Sequence, residues 1–160
     1  MNVDSKQSRG AIRRAAPYTV PLTVYYDASC PLCATEMETL QELDWRGQLQ
    51  LVDCSVKNFR DPLASYDGVS QAEMMTRLHA RDPEGRWFKG LDAFEAVYGA
   101  AGLKGAARFW GNRHLRLVLD RIYPWVARHR QALSRLGLQH PLRILFRLAE
   151  RTHRTRTVRT

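Results

Sequence analysis

Three cysteines in 160 residues are too few to staple a fold with disulfides. No apolar run reaches the roughly 18 residues that a membrane-crossing helix needs, so none is expected. Met1 to Ala16 is polar and holds no apolar stretch, so a secretory signal is not expected either. No internal repeat is visible. The length suits one domain with a real core and a tail. Two of the few cysteines form a CxxC. In a chain without a signal, that pattern points to a reducing, cytoplasmic setting and to a catalytic or metal-binding role.

Acidic residues are also scarce, 16 against 25 lysines and arginines, and the shortage is local. Residues 1–15 carry a net charge of +3, residues 16–103 carry −6 and residues 104–160 carry +12. The basicity therefore belongs to the C-terminal third, as for an appended binding surface on an acidic domain.

The rest of the chain is organised around Tyr25-Tyr26-Asp27-Ala28-Ser29-Cys30-Pro31-Leu32-Cys33. Leu22 to Tyr26 is apolar, β-branched and aromatic, and reads as a buried strand. Met37, Leu40 and Leu43 recur every three residues with Glu36, Glu38 and Glu42 between them, which reads as an amphipathic helix. Cys30 thus lies at a strand-to-helix junction, with Pro31 suited to the first helical position. Free backbone N–H groups and the positive end of the helix dipole stabilise a thiolate there, so its pKa is expected below the ordinary value of roughly 8.5. Cys33, one turn on, is close enough for a disulfide. The expectation is a redox dithiol in which Cys30 attacks and Cys33 resolves.

In chain order, residues 1–20 read as a flexible leader. Strands are expected at Leu22–Asp27, Leu49–Cys54, Thr76–Ala80 and Arg86–Lys89, and a helix at Pro31–Leu43. Asn58–Gly68 reads as a loop. Ser70 with Glu73 forms a capping box before a short helix. Asp82-Pro83-Glu84-Gly85 turns a hairpin, and Ala93, Phe94, Val97 and Tyr98 make one helical face. The order is β-α-β-(α)-β-β-α, an α/β fold of the thioredoxin-like type with a CxxC at the tip of its first strand. Residues 21–130 form this domain with its closing helix, and residues 131–160 a basic helical extension with a disordered tail.

The motif Asp27-x-x-Cys30-x-x-Cys33 after a Tyr-Tyr strand resembles the DCC family of predicted thiol–disulfide oxidoreductases. Further matches are Val52-Asp53, Gly68-Val69-Ser70, Arg77-Leu78-His79, Gly85, Gly90-Leu91-Asp92-Ala93-Phe94 and the segment Tyr123 to Arg130. The resemblance implies a thioredoxin-like fold and an activity of the protein-disulfide reductase type. Two departures stand out. Ala28 replaces the glycine that often follows the aspartate, which restricts the backbone there. Met74-Met75-Thr76-Arg77 also holds no counterpart to the thioredoxin cis-proline.

Each residue has a plainer reading beside the functional one. Cys30 and Cys33 serve redox exchange, a zinc site completed by Cys54 and a histidine, or quiet core packing. Asp27 relays a proton to or from Cys33, or accepts backbone N–H groups in the turn before Cys30. Cys54 reads as a small core residue rather than a third redox thiol. His79 reads as a structural histidine rather than a proton shuttle. Trp87 and Phe88 are expected in the core, and Met74 and Met75 are candidates to line a substrate groove.

In the C-terminal third, Leu115, Val118, Leu119, Ile122 and Val126 make an apolar stripe expected to pack on the core, with arginines outward and a kink or break at Pro124. A second helix starts near Leu138, and Arg151–Thr160 reads as disordered. The alternative for residues 131–160 is a basic amphipathic surface that meets anionic lipid or an acidic partner. No nucleic-acid-binding motif accompanies the charge. The partners expected are a disulfide-bearing protein or small thiol and an external thiol reductant, with no bound cofactor. The competing function is a non-enzymatic adaptor working through the basic helices.

Overall fold

A computed structural model describes residues 18–135. Strand β1, Leu22–Tyr26, sits in the middle of a four-stranded sheet of order β2-β1-β3-β4. It pairs in parallel with β2, Leu49–Asp53, and antiparallel with β3, His79–Arg81, which pairs in turn with β4, Trp87–Lys89. The β1–β2 crossover is helix α1, Pro31–Leu43. This is the thioredoxin-like α/β arrangement read from the sequence.

Alternation along β1 gives the sheet two apolar faces. Leu22 and Val24 join Met37 and Leu40 of α1 and Ala93, Val97 and Tyr98 of α4, Leu91–Ala100, in the larger core. Tyr25 points the other way, into a smaller cluster with Cys54, Ala64, Val69 and Met74. That cluster lies under two short helices, α2 at Pro62–Tyr66 and α3 at Gln71–Met74. The capping box on α3 forms as expected, with Glu73 N donating to Ser70 Oγ and Ser70 N to Glu73.

Several expectations need correcting. The stretch 58–68 is not all loop: Asp61 caps α2 by accepting from Ala64 N at 2.9 Å, with Pro62 in its first turn. Strand β3 starts at His79, not Thr76, because Thr76 N and Oγ1 both donate back to the Glu73 carbonyl and close the end of α3. Tyr18 and Thr19 are not leader. The Tyr18 ring meets Phe88 edge-on at 6.3 Å, and Thr19 N donates to Asp82. Ala28 costs no strain, since Asn58 is the one non-glycine residue with positive φ among the described residues. A helix not read from the sequence, α5 at Lys104–Trp110, packs on α4 and stacks Trp110 on Phe94 at 4.8 Å.

The C-terminal helix α6, Arg113–Arg135, passes through Pro124 as one element and through the boundary expected at residue 130. Proline removes a single helical hydrogen bond, and Tyr123, Val126 and Ala127 on either side of it pack inward. The inward face keeps part of the expected stripe, with Leu115, Leu119 and Val126 half-buried, but not all of it. Val118 and Ile122 are exposed, as are Leu117 and Trp125. Arg116, expected outward, is held by Asp92 and Glu95 of α4. The second helix near Leu138 and the Arg-Thr tail lie outside the described residues.

Tyr123 anchors α6. Its hydroxyl accepts from Leu78 N at 3.2 Å, and its ring lies edge-on to Phe94. It also closes over Gly90, whose φ of +59° and ψ of −123° suit only glycine. A Cβ at Gly90 would stand 3.3 Å from the Tyr123 ring. Gly90→Ala is therefore expected to cost about 1–3 kcal/mol in urea unfolding. A loss of only a few tenths would show that neither the backbone nor Tyr123 resists there.

Candidate functional site

The site begins where β1 and β2 end side by side. Asp53, the last residue of β2, accepts from Ala28 N at 3.2 Å and from Ser55 N at 2.8 Å. Burial raises its pKa, but the hydrogen bonds from Ser55 and Ala28 outweigh that and hold it low. It braces the loop after β1 as an anion. Asp27 accepts from Ser29 N at 3.0 Å and from the Ser29 hydroxyl, and its carbonyl accepts from Cys30 N at 3.3 Å. The turn-forming role expected of Asp27 is thus present. Asp27 also forms part of a cavity wall.

Cys30 is the N-cap of α1, with extended backbone and Pro31 following, as the junction predicted. Its side chain is 0% exposed, however. Cys33 is the partly exposed member and lines a cavity of about 90 Å³. A helix start sets the surroundings of the Cys30 backbone, but the cover given by neighbouring elements decides which sulfur a substrate meets. The expectation that Cys30 attacks first was drawn without that cover.

The cavity lies between α1, the α3–β3 turn, α4 and α6. Leu32, Met37, Met74, Leu78, Phe94 and Val126 make it mainly apolar. Glu36 also lines it, one turn beyond Cys33. Glu36 keeps some surface on the cavity side while its carboxyl is enclosed by protein. Burial pushes its pKa up to about 7. The hydrogen bond from Tyr98 Oη, at 2.6 Å, works against that rise, and charge on Cys30 adds to it. Tyr98 in turn is held protonated well above its usual range by burial and by Glu36. An enclosed acid that changes charge near neutrality thus sits beside the dithiol.

Sequence reading missed Glu36, having placed it on the polar side of α1. The available signal was its spacing: three residues after Cys33, it shares that side chain's face of the helix. The other candidates lie elsewhere. Cys54 is buried in the smaller cluster, where its Sγ donates to the Tyr26 carbonyl at 2.9 Å. His79 is buried against Trp87, with Nδ1 at 2.9 Å from the Arg77 carbonyl. Burial lowers its pKa, which keeps the ring neutral. Phe88 is core, while Trp87 stacks on Tyr25 and donates to Asp67. Met74 lines the cavity and Met75 an adjoining groove. Among the described residues, no three His, Cys, Asp or Glu side chains gather as a metal site, so nothing there favours the zinc reading.

The enclosed Glu36 has a consequence for stability. The unfolded chain holds a glutamate near 4.5 and the folded chain near 7. The extra proton stabilises the fold below the lower value, and this contribution is lost as pH rises through about 7. Glu36→Gln should remove the dependence. The stability of the variant relative to the parent should grow by on the order of 3 kcal/mol between pH 4 and pH 8 in urea titrations. A difference that stays constant with pH would show a solvated carboxyl.

A protein of Arabidopsis thaliana, named as uncharacterized and chloroplastic, is 30% identical over 88 residues, which are 54% of this chain and 40% of that protein. The chain thus spans less than half the length of that curated relative. No solved structure matches it. No described helix is long and apolar enough to cross a membrane. The family profile of the DCC1-like thiol-disulfide oxidoreductases matches residues 24–136, which include the end of strand β1, both motif cysteines and helix α6, and the chain belongs to that family.

Proposed function

We propose that the protein is a disulfide reductase whose working group is the Cys30–Cys33 dithiol, in a reducing compartment such as the cytoplasm. The observation that carries this reading is the cavity. One sulfur of the CxxC lies on its wall, and a carboxyl able to exchange a proton near pH 7 sits one turn further along the same helix. Thiol–disulfide exchange needs both features: access for the substrate disulfide, and somewhere for a thiol proton to go.

The exchange runs in two displacements. A thiolate of the pair attacks the substrate disulfide, a mixed disulfide forms, and one substrate thiolate leaves. The second cysteine then attacks the sulfur of the first, releases the other half of the substrate, and leaves a Cys30–Cys33 disulfide. Two electrons have passed to the substrate, and an external thiol reductant restores the pair. Asp27 holds the turn that presents Cys30, and Glu36 is the group placed to take or return the proton.

Equilibration of the purified chain with graded glutathione redox buffers, followed by thiol alkylation and intact mass, tests this directly. Two thiols, mapped to Cys30 and Cys33, should be lost reversibly while Cys54 stays reactive once the chain is denatured. The midpoint gives the potential. Replacing both Cys30 and Cys33 by serine should abolish disulfide reduction. Full reductase activity in that double variant, or a pair that never oxidises, would end this reading and favour an adaptor role.

A further inference from the structure

The cavity at Cys33 is not isolated. An open groove of about 490 Å³ adjoins it and shares Arg77, Tyr123 and Ala127 as walls. Its volume falls in the range of small-molecule sites, roughly 300–1,000 Å³. Met75, Thr76 and Pro124 line it, and Arg128 stands on its α6 side.

The charge of this groove is opposite to that of the surrounding domain. Residues 16–103 are net acidic, yet no acid lines the groove and two arginines do. Both Arg77 and Arg128 are exposed, and among the described residues neither forms an ion pair. This sets them apart from Arg81, Arg86 and Arg116, each of which has a carboxylate partner. Guanidinium groups with no ion-pair partner among the described residues, on the wall of a hollow, are suited to bind carboxylates by charge-assisted hydrogen bonds. The inner cavity has a different character: it is mainly apolar, with Asp27 and Glu36 on its wall and Arg77 at the boundary it shares with the groove. A ligand spanning the two hollows therefore lies one way round, with its carboxylates outward at the arginines and its less polar S–S portion inward at Cys33.

We propose that this groove binds a low-molecular-mass disulfide bearing carboxylates and delivers its sulfur to Cys33, which makes Cys33 the first attacking thiol and Cys30 the resolving one. The proposal rests on the reductase reading above and names its substrate class. The Cys33 thiolate bonds to the nearer substrate sulfur and the substrate S–S bond breaks. One carboxylated thiolate leaves and takes a proton from water. Cys30, releasing its proton to Glu36, then bonds to Cys33 Sγ, and the second carboxylated thiolate departs. The substrate has gained two electrons, and the enzyme holds one disulfide.

The test uses the reduced full-length chain and three disulfides, each rate divided by that disulfide's rate with a small free thiol: glutathione disulfide (anionic), 2-hydroxyethyl disulfide (neutral) and cystamine (cationic). Single-turnover oxidation is followed by quenched alkylation and mass. Glutathione disulfide should react fastest, and its advantage over hydroxyethyl disulfide should shrink as salt is raised. Arg77→Ala and Arg128→Ala should each reduce that ratio by about tenfold. In Cys30→Ser, glutathione should be trapped on Cys33. In Cys33→Ser, trapping on Cys30 should be slow. Equal rates for the three disulfides, a ratio unmoved by either arginine variant and by salt, or prompt trapping on Cys30 would each overturn the proposal. So would a protein disulfide, such as that of insulin, reduced much faster than glutathione disulfide. In all these cases a reversible Cys30–Cys33 couple would leave the reductase reading standing. A pair that no disulfide oxidises would remove both.

Discussion

Strand β1 is hydrogen-bonded along both edges, to β2 in parallel and to β3 antiparallel, and the chemistry depends on that double pairing. A strand held on one side can slip or fray, whereas one held on both fixes where the chain leaves the sheet. The lock extends past the ladder: Cys54 N donates to the Tyr26 carbonyl, and Asp53 then accepts from Ala28 N. The first residues of α1 thus inherit their position from the sheet, and Cys30 needs no cap of its own to be placed. Chains of this length gain little from any one hydrogen bond. Here a few of them act on one short stretch, Tyr26 to Cys30, so position rather than stability is what they secure.

Elements whose signals lie within a few neighbouring residues were legible in the sequence. Pro31 at a helix start, the Ser70–Glu73 box and the turn at Asp82 to Gly85 were read correctly because their chemistry is local. Helix α2 was hidden because Asp61-Pro62 serves equally as turn chemistry and as cap plus first turn. Helix α5 was hidden in a stretch rich in glycine and alanine that looked like the end of its predecessor. On α6 the apolar period was recognised, but the inward face is rotated from it: Leu115, Leu119 and Val126 turn inward with Tyr123, while Val118 and Ile122 do not. Periodicity shows that a helix has an apolar side, and with arginines and apolar residues all round it does not show which side the core takes.

The site divides the same way. The cysteines and Asp27 were legible because a short motif carries them. Their accessibility was not, because the cavity at Cys33 is walled by residues far along the chain, among them Leu78, Phe94 and Val126. Glu36 was counted as polar surface because its type usually is. Its enclosure depends on Tyr98, which α4 brings across 62 positions of sequence to within hydrogen-bond distance. A charged residue that the fold encloses is a common place for sequence reading to fail, and such places tend to be functional.

Helix α6 gives the domain its second hollow wall, and α6 is the last described element to be made. Synthesis delivers the N-terminal part of a chain first. Cys30 and Cys33 therefore leave the ribosome well before Tyr123, Val126 and Arg128 exist. During that interval the nascent chain carries both cysteines without the walls that α6 gives to cavity and groove. Both hollows are complete only with α6 in place, held by Tyr123 over Gly90 and by Arg116 on Asp92 and Glu95. On the proposed reading, the reactive pair and the walls that select its substrate are thus made at different times in the life of each molecule.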